Sequence, residues 1–222
     1  MREILIADDH PLFRDALKRA VGQAVPDARL IEVEDVAGLH GAVETHPDLE
    51  LLLLDLQMPG ASGFSALVHI RRMHPGLPII VVSAHEQAAV IRRAMAHGAS
   101  GYIPKSTSAD RIVTAVLKVL DGDLWFPPDL HGRSETLHAD EAGAAAQVSE
   151  LTPQQFRVFT MIADGLLNKQ IAWELGVSEA TVKAHMTAIM RKLGVSNRTQ
   201  AALLASHLAI EGEPLAQPDG RD

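Results

Sequence analysis

The sequence contains no cysteine, so disulfide bonds and thiolate metal sites are excluded. It also has no run of the roughly 18 apolar residues that a membrane-spanning helix needs. The amino terminus, MREILIADD, lacks the apolar core of a signal peptide because two acidic residues interrupt its only apolar run. These absences predict a cytoplasmic protein without a membrane partner, and the missing thiols are consistent with a reducing compartment.

The charge of the chain is unevenly distributed. The 222 residues are enough for one large or two small domains, and their net charge is −8. Residues 151–210 nevertheless contain six Lys/Arg and three Asp/Glu residues, whereas the segments on both sides are acidic. A positive segment in an acidic chain is a weak indication of a nucleic-acid surface.

Short apolar runs alternate with helical patterns over residues 1–121. The runs predict five strands, and the segments between them show the spacing of amphipathic helices. This alternation predicts a parallel sheet covered by helices, in an α/β domain of flavodoxin-like size. The predicted strands are EILIA (3–7), RLIEV (29–33), LELLLLD (49–55), PIIVVSA (78–84) and GYI (101–103).

Polar residues end or follow four of these strands. They are Asp8 and Asp9, Asp55, Ser83 and Lys105. Because a parallel sheet binds ligands outside the carboxyl ends of its strands, we expect these side chains to meet in one crevice. Clustered carboxylates repel one another unless a cation neutralises them, and oxygen-only ligands suit Mg²⁺. The sequence therefore predicts a magnesium site.

The rest of the chain divides into a linker, a helical domain and a tail. Residues 122–146 are acidic and rich in small residues, which predicts a linker, although a short helix is compatible with 140–147. We predict a small all-α domain of four helices at 147–212 and a disordered tail at 213–222. A tight turn, GVS, joins the second and third of these helices, which is typical of a helix-turn-helix.

The third helix of this domain has two different faces. One face is an apolar stripe that predicts core packing: Val182, Met186, Ile189 and Leu193. The opposite face is small, polar and basic: Lys183, Ala184, Thr187 and Arg191. Small residues let the backbone approach a DNA groove, and Lys and Arg reach phosphates or guanine acceptors. A solvated surface would look similar, but the glycine turn and the local positive charge favour a recognition helix.

The order of these motifs resembles a known family. Asp8-Asp9, LDLQMPGASG around Asp55, VVSAH around Ser83 and GYIPKS around Lys105 resemble the receiver domain of two-component response regulators. Residues 151–201 resemble the LuxR-type helix-turn-helix. The chain is thus similar to the NarL/FixJ family over nearly its whole length, except for the linker and tail. The resemblance implies a receiver domain at 1–121 with a five-stranded parallel sheet in the order 2-1-3-4-5.

The resemblance implies roles for the acidic residues and the lysine. Asp55 would be the phosphoacceptor, and Lys105 would pair with the phosphoryl oxygens. Asp8, Asp9, Asp55 and the backbone carbonyl of Gln57 would bind Mg²⁺. These roles agree with the chemistry of phosphoryl transfer, which depends on positioning and on neutralising the phosphoryl oxygens.

Four more roles concern the response to phosphorylation. Ser83 and Tyr102 would form the switch pair, in which Tyr102 fills the space that the Ser83 hydroxyl vacates. Gln57 and His85, each two residues after a site residue, would set the lifetime of the phosphoryl group. The other histidines show no ligand spacing, and we expect them to be surface or core residues.

In the helical domain the resemblance directs Lys183, Ala184 and Thr187 towards DNA bases. Phosphate contacts are expected from Lys169, Arg191 and Arg198, with His185 as a further contact. One stripe on the fourth helix consists of Leu203, His207 and Ile210. It could pair with a symmetry mate to form a homodimer on DNA, or it could pack against the first domain or the linker.

The function that the resemblance implies is a DNA-binding transcription regulator switched by phosphorylation from a sensor histidine kinase. It would not be an enzyme, apart from phosphoryl transfer to Asp55 and hydrolysis at that residue. Two alternatives remain. One is a phosphorylation-independent DNA-binding regulator with a degenerate receiver, which the intact acid–lysine set disfavours. The other is a phosphohydrolase with an aspartate nucleophile, which usually carries DxD after the first strand rather than DD.

Overall fold

The computed structural model describes residues 1–61, 63–128 and 139–210. It divides into two compact units, Met1–Leu137 and His138–Asp222, and each is described by itself. The predicted tail, 213–222, and residues 129–138 of the predicted linker lie outside the described residues. Among the described residues, no helix is both long and apolar enough to cross a bilayer.

The first unit alternates strands and helices, as the sequence pattern predicts. Leucine, isoleucine and valine fill the strands, and the helices have one apolar face each. The elements are β1 (Glu3–Ala7), α1 (Pro11–Ala24), β2 (Arg29–Val33), α2 (Val36–Thr45), β3 (Leu49–Asp55), α3 (Ser65–Met73), β4 (Ile79–Ser83), α4 (Ala88–Ala96), β5 (Gly101–Pro104) and α5 (Ala109–Leu120).

All neighbouring strands of the sheet are parallel, and their order is β2-β1-β3-β4-β5, which confirms the predicted order. The register brings the carboxyl ends of the central strands to one edge. Ala7 pairs with Leu54. Asp55 pairs with Val82, and Ser83 pairs with Pro104. The residues that end or follow β1, β3, β4 and β5 therefore lie side by side at this edge.

The core of the first unit lies between the sheet and its helices. Buried side chains of β1, β3 and β4 pack against α1 and α5, which also contact each other. Trp125, inside the range predicted as a linker, is buried in this core and bridges Gly101 of β5. A Cβ atom at residue 101 would lie 2.9 Å from the Trp125 carbonyl oxygen, so this close approach requires glycine.

The second unit is helical. Its helices are α6 (Ala139–Ser149), α7 (Pro153–Ala163), α8 (Asn168–Glu174), α9 (Glu179–Lys192) and α10 (Arg198–Ser206). Helix α6 covers the last part of the predicted linker range, 122–146. The linker boundaries remain a prediction. Helix α7 packs against α9 and α10, and α8 packs against α9.

Side chains cap three of these helices. Thr152, Ser178 and Asn197 each accept a hydrogen bond from a backbone N–H in the first turn of α7, α9 and α10. Helix α8 starts at Asn168, and the Gln170 side chain accepts a hydrogen bond from the Leu167 N–H just before it. Helix α10 ends at Ser206.

Candidate functional site

Carboxylates from two neighbouring strands form an acidic pocket at the carboxyl edge of the sheet. Asp55 is the last residue of β3, and Asp8 directly follows β1. Their side chains are 1% and 0% exposed, whereas that of Asp9 is about one-third exposed. Because β1 and β3 are paired neighbours, the fold brings these three acids together as predicted.

Lys105 neutralises part of this negative charge. It follows β5, and its backbone N–H donates to the Ser83 carbonyl at 2.8 Å. Its Nζ lies 2.8 Å from Asp55 Oδ2 and 3.0 Å from Asp8 Oδ2. The ammonium also lies 5.1 Å from the centre of the Phe13 ring, within cation–π range. The predicted lysine therefore reaches the buried acids from across the sheet.

The electrostatics of the pocket are dominated by burial. Burial raises the pKa of Asp55 above its ordinary value, against the opposing effects of Lys105 and the Gln57 N–H. Burial also disfavours the charged form of Lys105, but its hydrogen bonds and attraction to Asp55 and Asp8 outweigh this and raise its pKa. Lys105 therefore stays protonated at neutral pH, beside a carboxylate that is costly to ionise.

Replacing Asp55 with asparagine is expected to raise the free energy of unfolding at pH 7 when no divalent cation is present. Folding raises the pKa of Asp55, so ionising this carboxyl destabilises the folded chain at pH values above the raised pKa. The destabilisation disappears as the pH falls towards the lower pKa that Asp55 has in the unfolded chain. We expect a gain on the order of 1 kcal/mol that shrinks as the pH falls. Urea unfolding in EDTA at several pH values measures it.

The control for this experiment is Asp27→Asn, because Asp27 is exposed in the loop before β2. It should leave the stability nearly unchanged across the same pH range. A difference between the wild type and Asp55→Asn that does not vary with pH would contradict the assigned cause.

Ser83 and Tyr102 are both connected to the backbone of His85. The Ser83 hydroxyl accepts the His85 N–H at 3.2 Å, and the Tyr102 hydroxyl donates to the His85 carbonyl at 2.8 Å. Burial raises the pKa of Tyr102 to about 12, so the phenol stays protonated. The two residues predicted as a pair therefore share the loop that follows β4.

Gln57 lies next to the Asp55 carboxylate, and its side chain meets that of His85. The Gln57 N–H donates to Asp55 Oδ1 at 3.0 Å, which places the Gln57 backbone directly beside this carboxylate. Gln57 Nε2 and His85 Nε2 are 3.5 Å apart. The fold thus brings together two side chains that are 28 residues apart in the sequence.

His10 is a pocket residue that the sequence did not indicate. Its Nδ1 lies 2.7 Å from Asp9 Oδ1, 3.4 Å from Asp8 Oδ1 and 3.7 Å from Asp55 Oδ2. His10 is thus a surface residue, as expected of the remaining histidines, but it lies at the mouth of the pocket. A histidine directly after the acidic pair was the available signal, but it has no second histidine at ligand spacing.

Arg14 is a second residue that sequence reasoning missed. Its Nη1 donates to the Asp8 carbonyl at 2.7 Å. Its other nitrogens bind Glu32 and Glu34, at and just beyond the end of β2, at 3.1 and 2.6 Å. The guanidinium therefore holds the loop that carries Asp8 and Asp9 against the neighbouring strand.

The donor atoms of the pocket fit a divalent cation. One ligand atom from each of Asp8, Asp9, His10 and Asp55 can be chosen so that all lie within 4.8 Å of one another. Among the described residues, Asp8 Oδ2 and Asp9 Oδ1 are buried without a hydrogen bond of good geometry, although cationic or imidazole nitrogens lie within 3.0 Å. Such oxygens are suited to ligate a hard cation.

The helical unit presents the predicted recognition helix, α9. The turn before it contains Gly176 in the left-handed region, with φ of +64°, and Ser178 caps its first turn. Val182 and Ile189 are buried, so this stripe faces the core as predicted. The opposite face is exposed at Lys183, Ala184, Thr187 and Arg191, and His185 is partly exposed.

The other predicted phosphate contacts differ from one another. Lys169 is exposed in the first turn of α8. Arg198 is only partly exposed, and its Nη2 donates to the backbone carbonyl of Leu166. Contact with a phosphate would therefore require the Arg198 guanidinium to share or leave this carbonyl.

The three residues predicted for dimerisation do not form one exposed stripe. Leu203 is 60% exposed, His207 is partly exposed, and Ile210 is 2% exposed. Because α10 ends at Ser206, Ile210 does not continue the helical stripe. Leu203 and His207 instead line a groove of about 430 Å³ between α6 and α10. The side chain of Ile210 therefore offers almost no surface to a partner.

Comparison with known proteins identifies both units. The sequence profile of the response regulator receiver domain matches residues 4–117. The profile of bacterial regulatory proteins of the luxR family matches residues 149–205. Receiver domains generally bind Mg²⁺ at an acidic pocket of this kind.

Two curated relatives match nearly the whole chain. The glycerol metabolism activator of Pseudomonas putida is 38% identical over 94% of this chain and 96% of its own length. The nitrate/nitrite response regulator protein NarL of Escherichia coli K12 is 33% identical over 90% of this chain and 93% of its own length. Both names describe regulators.

A solved structure also matches both units. RcsB of Salmonella enterica serovar Typhimurium, bound to the promoter P1flhDC in the presence of the phosphomimetic BeF3⁻, is 25% identical with a TM-score of 0.54. The match covers 94% of this chain and 99% of RcsB. With a receiver domain at its amino terminus and a LuxR-type helix-turn-helix at its carboxyl terminus, the chain belongs to the NarL-type two-component transcriptional response regulators.

Proposed function

We propose that a sensor histidine kinase switches this transcription regulator by transferring a phosphoryl group to Asp55. The observation that carries the proposal is the position of the Asp55 carboxylate. It is buried at the end of β3, 2.8 Å from the Lys105 ammonium and within one pocket with Asp8 and Asp9. A nucleophilic carboxylate beside a lysine and an acidic pair has the parts that phosphoryl transfer needs.

In this reaction a carboxylate oxygen of Asp55 attacks the phosphorus atom of the kinase phosphohistidine, and the phosphorus–nitrogen bond breaks. Lys105 can follow the charge from the carboxylate to the phosphoryl oxygens. Asp8, Asp9, Asp55 and the Gln57 backbone carbonyl would hold Mg²⁺. When bound, Mg²⁺ supplies charge neutralisation at the phosphoryl oxygens.

The switch would act through the loop after β4. A phosphoryl group on Asp55 adds acceptor oxygens and roughly −1.5 to −2 charge. If the Ser83 hydroxyl turns to donate to it, the hydrogen bond from the His85 N–H weakens. Tyr102, which shares the His85 backbone, can then change its position, and the receiver passes to a second state.

The output would be binding to double-stranded DNA by the exposed face of α9. Lys183, Ala184 and Thr187 would face bases, while Lys169, Arg191 and His185 would contact phosphates. Arg198 joins them if its guanidinium shares or leaves the Leu166 carbonyl. We propose a homodimer on DNA through Leu203 and His207, because a two-fold dimer of helix-turn-helix domains matches two half-sites on the DNA.

A direct test is to incubate the full chain with acetyl phosphate and Mg²⁺ and to measure its intact mass and DNA affinity. We expect the mass of one phosphoryl group to be added, with a change in affinity for DNA sites found by genomic footprinting. Unchanged mass with full DNA binding would favour the phosphorylation-independent regulator. Sustained turnover of a phosphoester would favour the phosphohydrolase.

The lifetime of the phosphoryl group is expected to depend on Gln57 and His85. Their side chains meet each other, and the Gln57 backbone donates to Asp55, so we expect that shortening either side chain opens a path for the attacking water. We expect His85→Ala or Gln57→Ala to accelerate dephosphorylation several-fold, as measured by the decay of the phosphorylated mass. Gln87→Ala, exposed at the start of α4, should decay like the wild type. Equal rates for all variants would remove this role.

Arg14 is expected to support cation binding without touching the cation. Arg14→Met keeps most of the apolar side chain but removes the hydrogen bond to the Asp8 carbonyl. Because residues that orient metal ligands typically contribute about 10- to 100-fold in affinity, we expect weaker Mg²⁺ binding by calorimetry, with partial rescue in Arg14→Lys.

The matched control for Arg14 is Arg29→Met. Arg29 pairs with Glu3 at the opposite end of β1, away from the pocket. Equal Mg²⁺ affinities for Arg14→Met and Arg29→Met would show that the hydrogen bond to Asp8 does not position the acidic pair.

A further inference from the structure

The position of His10 points to a property of the pocket beyond magnesium binding. His10 offers one of four ligand atoms that lie within 4.8 Å of one another, with those of Asp8, Asp9 and Asp55, and its Nδ1 faces these three carboxylates. The other three donors are carboxylate oxygens. The pocket therefore offers a mixed set of oxygen and nitrogen donors rather than oxygen alone.

The backbone holds His10 in this position from both sides. Its N–H donates to Asp8 Oδ1 at 2.8 Å. Its carbonyl accepts from the N–H groups of Phe13 and Arg14, at 3.1 and 3.0 Å, in the first turn of α1. Pro11 follows and restricts His10 to extended backbone angles, observed as φ −90° and ψ 104°. Only the side-chain torsions of His10 are therefore free.

The contacts of the imidazole place its Nδ1 on the pocket. Besides the carboxylates, Lys105 Nζ lies 3.4 Å from Nδ1. The ring nitrogen and the ammonium therefore both lie close to the Asp8 and Asp55 carboxylates. The ring is 59% exposed at the mouth of the pocket, so an ion can reach Nδ1 from solvent.

The donor type determines which cations gain from this arrangement. Mg²⁺ prefers oxygen ligands and gains little from an imidazole. Divalent first-row transition ions bind imidazole readily, and their affinities for mixed nitrogen and oxygen sites rise along the series from Mn²⁺ to Cu²⁺. Adding a histidine to three carboxylates therefore shifts the preference of the pocket towards transition ions.

We propose that His10 is a direct ligand that makes the phosphorylation pocket select divalent first-row transition ions, with Mn²⁺ as the first member, over Mg²⁺. This inference rests on the proposed function, because it uses the acidic pocket assigned there to the cation. It adds His10 to the ligand set and changes the cation that the pocket prefers. An ion pair of His10 with Asp9 that breaks when the cation enters is the competing explanation.

Electron spin-echo envelope modulation of Mn²⁺ bound to the full chain tests the ligand directly. We expect modulation from one directly bound ¹⁴N in the wild type and its loss in His10→Asn, while Mn²⁺ still binds. The control is His46→Asn, because His46 also pairs with a carboxylate, Glu3 at 3.1 Å, but at the opposite end of the sheet. The nitrogen signal should persist in that variant.

Calorimetric affinities for Mn²⁺ and Mg²⁺ test the selectivity. We expect the ratio of the two affinities to fall at least about tenfold in His10→Asn, and to stay unchanged in His46→Asn. A wild-type spectrum without directly bound nitrogen, a nitrogen signal that persists in His10→Asn, or an unchanged ratio would each overturn the role of His10. Failure of the wild type to bind either cation would instead overturn the proposed metal site itself.

Discussion

Asp55→Asn is expected to abolish the gain of a phosphoryl group from acetyl phosphate and Mg²⁺. The amide has nearly the same shape as the carboxylate but lacks the nucleophilic oxygen, so no acyl phosphate forms. Asp55 is also the only one of the three pocket acids that ends a strand and receives both Lys105 Nζ and the Gln57 N–H. We expect modification to fall below detection by intact mass, and DNA affinity to stop responding to acetyl phosphate.

Asp27→Asn, on an exposed loop, should gain one phosphoryl group like the wild type. This control separates loss of the acceptor from a general effect of removing a carboxylate. A phosphorylated Asp55→Asn protein would place the acceptor elsewhere and would contradict the central part of the proposed mechanism.

Lys183→Ala is expected to weaken binding to the operator by about 1–3 kcal/mol and to relax the preference for one base sequence. Lys183 lies on the exposed face of α9, whereas Val182 and Ile189 are buried on its core-facing side. Removing the Lys183 side chain leaves the core packing intact, so a loss of affinity would report on DNA contact. Fluorescence anisotropy with the footprinted site and a scrambled duplex, at fixed salt concentration, measures both effects.

Arg191→Ala provides the contrast, because a phosphate contact carries no sequence information. It should weaken both duplexes similarly and lower the salt dependence by about one released ion. Lys118→Ala, exposed on α5 of the receiver, should change neither affinity. If Lys183→Ala retained full affinity and sequence preference, Lys183 would not contact bases.

The pattern of apolar residues was sufficient to predict the sheet and most of its helices. The runs that end at Asp55 and Ser83 are buried on both faces, and such runs predict central parallel strands. Once these strands were placed, their carboxyl ends located the pocket. The strand order itself came from the resemblance, because apolar spacing alone does not distinguish the possible orders.

The parts that could not be predicted depend on contacts between distant residues. His10 has no second histidine at ligand spacing, and its position at the pocket becomes visible only when β3 brings Asp55 to within 3.7 Å. Arg14 looks like an ordinary polar position of α1 until β2 places Glu32 and Glu34 beside it. Arg198 is a residue type that commonly contacts phosphates, but its guanidinium already donates a hydrogen bond to the Leu166 carbonyl.

The helix ends show a related limit. Asn168 is a good capping residue by type, yet Gln170 two positions later satisfies the backbone of Leu167, and the helix starts one residue earlier than a cap at 168 would allow. Ile210 fits the periodicity of α10, but the helix stops at Ser206 and the side chain is buried. Local preferences of this size are easily overruled by a competing local hydrogen bond or by tertiary packing.

The ammonium of Lys105 spans Asp55 and Asp8 at 2.8 and 3.0 Å, so the receiver carries a tethered counter-ion of its own. A dissolved ion entering between these acids has to compete with a charge that can never diffuse away. If the proposed cation binds between these acids, a residue that restrains the lysine stem, such as Phe13 beneath its ammonium, would also adjust the ion concentration that phosphorylation requires.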